Sequence, residues 1–100
     1  MPALPIDHER LAEVCRKWRI AELSLFGSAL REDFGADSDV DLLAVFEPAA
    51  RVSLWDWPQI EDDFAAIFGG RKVDFVERKS LRNPFVRHRV LTTRRVVYAA

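Results

Sequence analysis

Apolar residues recur along this chain with two different periods, and the switches between them mark out its elements. Leu11, Val14, Cys15 and Trp18 fall at helical spacing behind Asp7, whose side chain is suited to cap a helix. From about Glu22 to Phe26 the pattern becomes that of a strand, with Leu23, Leu25 and Phe26 running up to Gly27. A short helix over Ser28 to Asp33 and a loop over Gly35 to Ser38 are expected next, delivering a second strand from Asp39 to Phe46 that ends near Pro48. Ser53 can cap a helix with Leu54, Trp57, Ile60, Phe64 and Ile67 on its buried side. Pro58 is tolerated there only in the first turn, and Gly69-Gly70 closes the helix. Arg71 to Glu77 predicts a third strand, Asn83-Pro84 a further helix, and Arg95 to Tyr98, with β-branched Val96 and Val97, a last strand. The order α-β-α-β-α-β-α-β predicts an α/β (α+β) fold, a mixed sheet with helices packed largely on one face and an acidic face left open for a ligand. At 100 residues and 49% hydrophobic, residues 1–100 are expected to form one domain around one core.

The candidate chemistry lies where the first strand ends and the second begins. Gly27-Ser28 is followed, after ten residues, by Asp39-Val40-Asp41. Backbone amides that turn after a strand can face a phosphate at the start of a helix, and Ser28 adds a hydroxyl donor. A strand's period of two puts Asp39 and Asp41 on one face and Val40, Leu42 and Ala44 on the other, so the two carboxylates can share Mg2+, a hard cation that prefers oxygen ligands. Asp74, between Val73 and Phe75, is a third acid on a later strand, where a metal or a substrate hydroxyl would serve as its partner. The alternative is a surface strand residue facing Lys72 or Arg71. Taken singly, Gly-Ser is often a turn and Asp-x-Asp a solvated loop or a cap; the ordered set is what points to a nucleotide site.

With these residues the chain resembles the minimal nucleotidyltransferases, small members of the DNA polymerase beta-like superfamily, whose signature is Gly-Ser, ten residues, Asp-x-Asp. The resemblance extends through Arg31, through Ser38-Asp39-Val40-Asp41-Leu42 and to Asp74, although Ala29 to Phe34 lack the small, basic-rich composition common there. It implies the nucleotidyltransferase fold, and nucleotide binding by Gly27, Ser28, Arg31 and Ser38. It also implies catalysis by Asp39, Asp41 and Asp74 as ligands of Mg2+, two ions being possible, with ATP as substrate and Asp74 assisting the attacking hydroxyl. Members of this size resemble antitoxins that neutralise a HEPN-family ribonuclease toxin by transferring AMP to a tyrosine hydroxyl. Such a toxin is the expected partner, in a hetero-oligomer. Two other readings stay open: an antitoxin that only binds, and a transferase acting on a small molecule such as an aminoglycoside.

Charge adds an asymmetry. Residues 1–70 hold 6 Lys and Arg against 14 Asp and Glu, whereas residues 71–100 hold 9 against 2. The basic tail, with Arg87, Arg89, Arg94 and Arg95, can meet nucleic acid, triphosphate or an acidic partner; with only Phe85 and Tyr98 as nearby aromatics, it argues against direct nucleic-acid binding. The single Cys15 sits among core positions, and His8 and His88 show no zinc spacing. No apolar run approaches a membrane span and the N-terminus has no signal-type apolar region, so a cytoplasmic protein is expected. Trp55 falls off the helical stripe. It is either an exposed partner anchor or a ring lying over its own helix.

Overall fold

The computed structural model describes residues 6–27 and 39–100. Its elements are α1 (His8–Lys17), β1 (Ile20–Phe26), β2 (Val40–Phe46), α2 (Trp57–Ile67), β3 (Val73–Glu77), α3 (Pro84–Thr93) and β4 (Arg95–Ala99). The short helix and loop expected after Gly27 lie outside the described residues, as do Ser28, Arg31 and Ser38.

Local chemistry accounts for the helix ends. Asp7 caps α1, its Oδ1 accepting from Arg10 N at 3.1 Å, and Asn83 caps α3 by accepting from Phe85 N and Val86 N at 3.0 and 3.3 Å. Helix α2 begins later than its apolar stripe suggests. Pro58 has no N–H to donate to the Leu54 carbonyl, and its ring would crowd that carbonyl. Leu54–Asp56 therefore form a separate 3-10 turn capped by Ser53, and Leu54 is exposed rather than buried with Trp57 and Ile60. Trp55, on the same turn, is 92% exposed, so its ring does not lie over its helix. Gly69 and Gly70, both at positive φ, close α2.

The four strands lie in the order β3-β2-β1-β4. Strand β1 is antiparallel to both β2 and β4, whereas β2 and β3 are parallel, so the sheet is mixed as expected. Val40, Leu42 and Ala44 of β2, with Leu23 and Leu25 of β1, meet Leu11 and Cys15 of α1 and Ile60 and Phe64 of α2 in one core. Cys15 is fully buried; that burial pushes its thiol up to about 12, with the Arg16 charge pulling the other way, so it packs as a small apolar side chain. Asp63 ties the two core helices together, accepting from Lys17 Nζ at 2.8 Å, Trp18 Nε1 at 2.9 Å and Gln59 Nε2 at 2.7 Å.

Parallel strands need crossovers, and crossovers are right-handed. The one from β2 to β3 runs outward in the sheet and carries α2 on the core face. The one from β3 to β4 runs back across β2 and β1, so the same hand directs that connection to the opposite face. On that face Arg94, which ends α3, lies 2.8 Å from Glu22 Oε1 as an ion pair whose N–H is not aligned on the oxygen. Ser24 and Leu43 beside it are each 1% exposed. Among the described helices, α1 and α2 pack on the core face, and α3 contributes no residue to that core.

Candidate functional site

The site is built at one end of the sheet, where β1 finishes and β2 and β3 start. Asp39 stands immediately before β2. One pleat further, Asp41 is the register partner of Phe26 on β1 and of Asp74 on β3. Two residues directly opposite on neighbouring strands, about 4.8 Å apart in the hydrogen-bonding direction, point to the same side of the sheet. The Asp41 and Asp74 carboxylates therefore leave the same face, opposite the side taken by Val40, Leu42 and Ala44, and Asp39 shares that face by the period of two. Asp74 is exposed and Asp39 and Asp41 are half-buried.

Gly27 completes this corner. Its φ is +60°, a left-handed conformation that glycine adopts without penalty, and a Cβ there would stand 2.6 Å from Asp41 Oδ2. The hydrogen of glycine thus leaves the space that the Asp41 carboxylate fills. Of the residues expected to contact nucleotide, Gly27 is the one within the described residues, and the structure brings it against Asp41.

The other flank of the acids was not legible in the sequence. A cleft of about 440 Å³ opens between α2 and the start of β3, lined by Asp39 and Asp74 together with Glu61, Asp62, Arg71 and Lys72. Two side chains of α2 hold the strand that carries Asp74. Trp57 Nε1 donates to Phe75 O at 3.1 Å, and Glu61 Oε2 accepts from Phe75 N at 3.3 Å. In this ladder Val40 N donates to Lys72 O at 2.9 Å, and the alternation of a parallel pair turns Phe75's own N–H and C=O to the outer edge. Trp57 and Glu61 satisfy those edge groups and exclude another strand from them. The Trp57 ring also packs on Phe75, with centroids 5.1 Å apart. Trp57 was marked by its place on the helical stripe, but nothing marked Glu61, because its partner is a backbone amide.

Among the described residues, no three His, Cys, Asp or Glu side chains converge on a metal-sized site. Mg2+ in a nucleotide site needs only one or two carboxylates, the rest of its shell coming from water and substrate phosphates. The in-register pair Asp41 and Asp74, with Asp39 alongside and Gly27 clearing one side, fits that donor set. Among the same residues, no helix is long and apolar enough to cross a membrane.

Comparison with known proteins identifies the fold and the family. A chain solved in a toxin–antitoxin complex with AMP-PNP superposes with a TM-score of 0.73 over 95% of this chain and 75% of its own, at 16% identity, and so shows the shared fold. A solved chain assigned as a minimal nucleotidyltransferase is 28% identical, with a TM-score of 0.69 over 88% of this chain and 86% of its own. The protein adenylyltransferase MntA of Thermococcus cleftensis is 34% identical over 86 residues, which is 86% of this chain and 81% of the relative. The family model described as a nucleotidyltransferase domain matches residues 9–97, and with that span and the Gly27, Asp41 and Asp74 corner inside it, the chain belongs to the nucleotidyltransferase family as one of its minimal members.

Proposed function

We propose that this chain is a protein adenylyltransferase that acts as an antitoxin, transferring AMP from ATP to a hydroxyl of a HEPN-type toxin, with tyrosine as the acceptor. The observation that carries the reading is the register pair of Asp41 and Asp74 at a corner where Gly27 leaves no side chain. The similarity to the Thermococcus cleftensis MntA, and the shared fold of chains solved in MntA–HepT complexes at 16% identity, support the choice of a protein acceptor.

In this reading the triphosphate lies on the Gly27 side and the acceptor enters from the cleft beside Asp74. The acceptor oxygen attacks the α-phosphorus in line, a P–O bond to it forms as the bond to the β-phosphate oxygen breaks, and pyrophosphate leaves. Asp74, exposed and without a hydrogen bond or ion pair among the described residues, takes the acceptor's proton in this reading. Asp39 and Asp41 would hold Mg2+, with Asp74 a ligand of a second ion, and the metal when bound would neutralise the charge of the phosphates. Trp57 and Glu61 fix the backbone at Phe75 and so hold Asp74 in register with Asp41. Ser28, Arg31 and Ser38 are assigned to the phosphates by their place in the motif alone.

The test is mass spectrometry of the purified chain incubated with its cognate toxin, ATP and Mg2+. An AMP adduct on a toxin tyrosine is the expected result. Full neutralisation of the toxin by a chain in which Asp39, Asp41 and Asp74 are all replaced by Asn, with no adduct in the wild type, would overturn the chemistry in favour of an antitoxin that only binds.

A further inference from the structure

Helix α3 is a ten-residue helix that buries none of its own side chains. Its neighbours α1 and α2 each bury two or more residues in the core. An isolated helix this short is marginal in water, and helices in proteins draw most of their stability from a packed apolar face. Its inner side, Arg87, Val90 and Leu91, is only half-buried, and its outer side is uncovered. Phe85 is 85% and Val86 49% exposed at its first turn. Around them, residues 78–95 carry Arg78, Lys79, Arg82, Arg87, Arg89, Arg94 and Arg95 and no Asp or Glu.

Exposed phenylalanine set among arginines has the composition of a protein interface, where aromatic residues and Arg are enriched and a few anchors carry most of the affinity. A single-stranded nucleic acid would instead need successive stacking surfaces, and Phe85 is the one aromatic residue of α3. We infer that α3 is a docking surface for an acidic face of a partner protein, with Phe85 as its apolar anchor and Arg87 and Arg89 steering the approach. This rests on the reading of the chain as half of a toxin–antitoxin pair, and it says where the partner sits. The position suits the chemistry. Helix α3 ends at Arg94, and Arg95 then pairs with Leu25, one residue from the Phe26–Asp41 row. The C-terminal end of α3 is thereby near the acids, and Phe85, in its first turn, stands about 12–14 Å further along the helix, so a partner spanning α3 reaches from the anchor toward the site. Leu54 and Trp55, also exposed, lie in residues 52–70, which carry no Lys or Arg and so offer no charge to an acidic face.

Hydrogen exchange and binding measurements on the full chain test this, with the cognate HEPN-type toxin as the probe. In the free chain, α3 amides are expected to exchange at least about 100-fold faster than those of α2, and to gain protection when the toxin is added. Phe85→Asp, and separately Arg87→Glu with Arg89→Glu, should raise the toxin Kd at least about tenfold, while ATP affinity stays unchanged and Trp55→Ala binds toxin as the wild type does. Protection of α3 equal to that of α2 in the free chain, or wild-type toxin affinity in all the α3 variants, overturns the inference. So does loss of binding to a single-stranded RNA 20-mer in the Arg variants while toxin binding persists. Undiminished AMP transfer to the toxin by Phe85→Asp would remove the docking surface and leave the chemistry. Toxin binding that depends on Phe85, with no AMP adduct formed by the wild type, would do the reverse.

Discussion

Asp41 Oδ2 occupies the position next to Gly27 where a side chain would begin, 2.6 Å from an ideal Cβ. The group in the way is the tip of a short side chain rather than backbone, so an added methyl can be accommodated by turning the carboxylate aside. The damage then falls on the chemistry more than on the fold. Gly27→Ala is expected to lower AMP transfer at least about tenfold, at a cost of about 1–2 kcal/mol in stability from the left-handed φ. Paired kinetic and denaturation measurements check this. Unchanged transfer in a destabilised variant would make Gly27 a turn residue only.

Asp41→Asn and Asp74→Asn keep the shape of each side chain and remove its charge. Neither residue is buried in the core, so the stability of each variant should stay within about 0.5 kcal/mol of the wild type. Transfer should fall by a hundredfold or more on the order of a lost transition-state group. Substantial activity in a well-folded double variant would move the chemistry elsewhere.

The bonds to Phe75 give a prediction about positioning. Trp57→Phe keeps an aromatic ring against Phe75 but removes the Nε1 donor, and Glu61→Ala removes the acceptor for Phe75 N. Each should cost about 1 kcal/mol, the worth of one hydrogen bond, with a further loss of transfer as Asp74 loosens. Chemical denaturation and transfer assays on the same preparations separate the two effects.

Acid should reveal the clamp between α1 and α2. Burial raises the Asp63 carboxyl, but the hydrogen bonds from Lys17, Trp18 and Gln59 outweigh it and hold the group below the usual carboxylate range. A lowered folded-state value means that the clamp stabilises the protein fully above the ordinary carboxylate range and loses that contribution as pH falls through the lowered value. Asp63→Asn should therefore be less stable than the wild type at neutral pH, with the difference closing in acid. A difference independent of pH, followed by thermal melts, would show that the charge on Asp63 is immaterial.

The sequence by itself determined the elements and the identity of the corner. Asp7 and Asn83 announce their helices because a cap is a local bond between residues three positions apart or fewer. The facing of Asp41 opposite Leu42 follows from the two-residue pleat of any strand, and Gly27-Ser28 with Asp39-Val40-Asp41 marks the family by spacing alone. The tertiary structure decided what depends on register and crossover. That Asp74 lands beside Asp41, rather than one residue off and on the other face, is a property of how β3 pairs with β2, which a single strand's pattern does not contain. The hold of Trp57 and Glu61 on Phe75 and the ion pair of Arg94 with Glu22 arise in the same way. Each is a contact between segments whose sequence separation exceeds any local rule, fixed only when the chain folds back on itself.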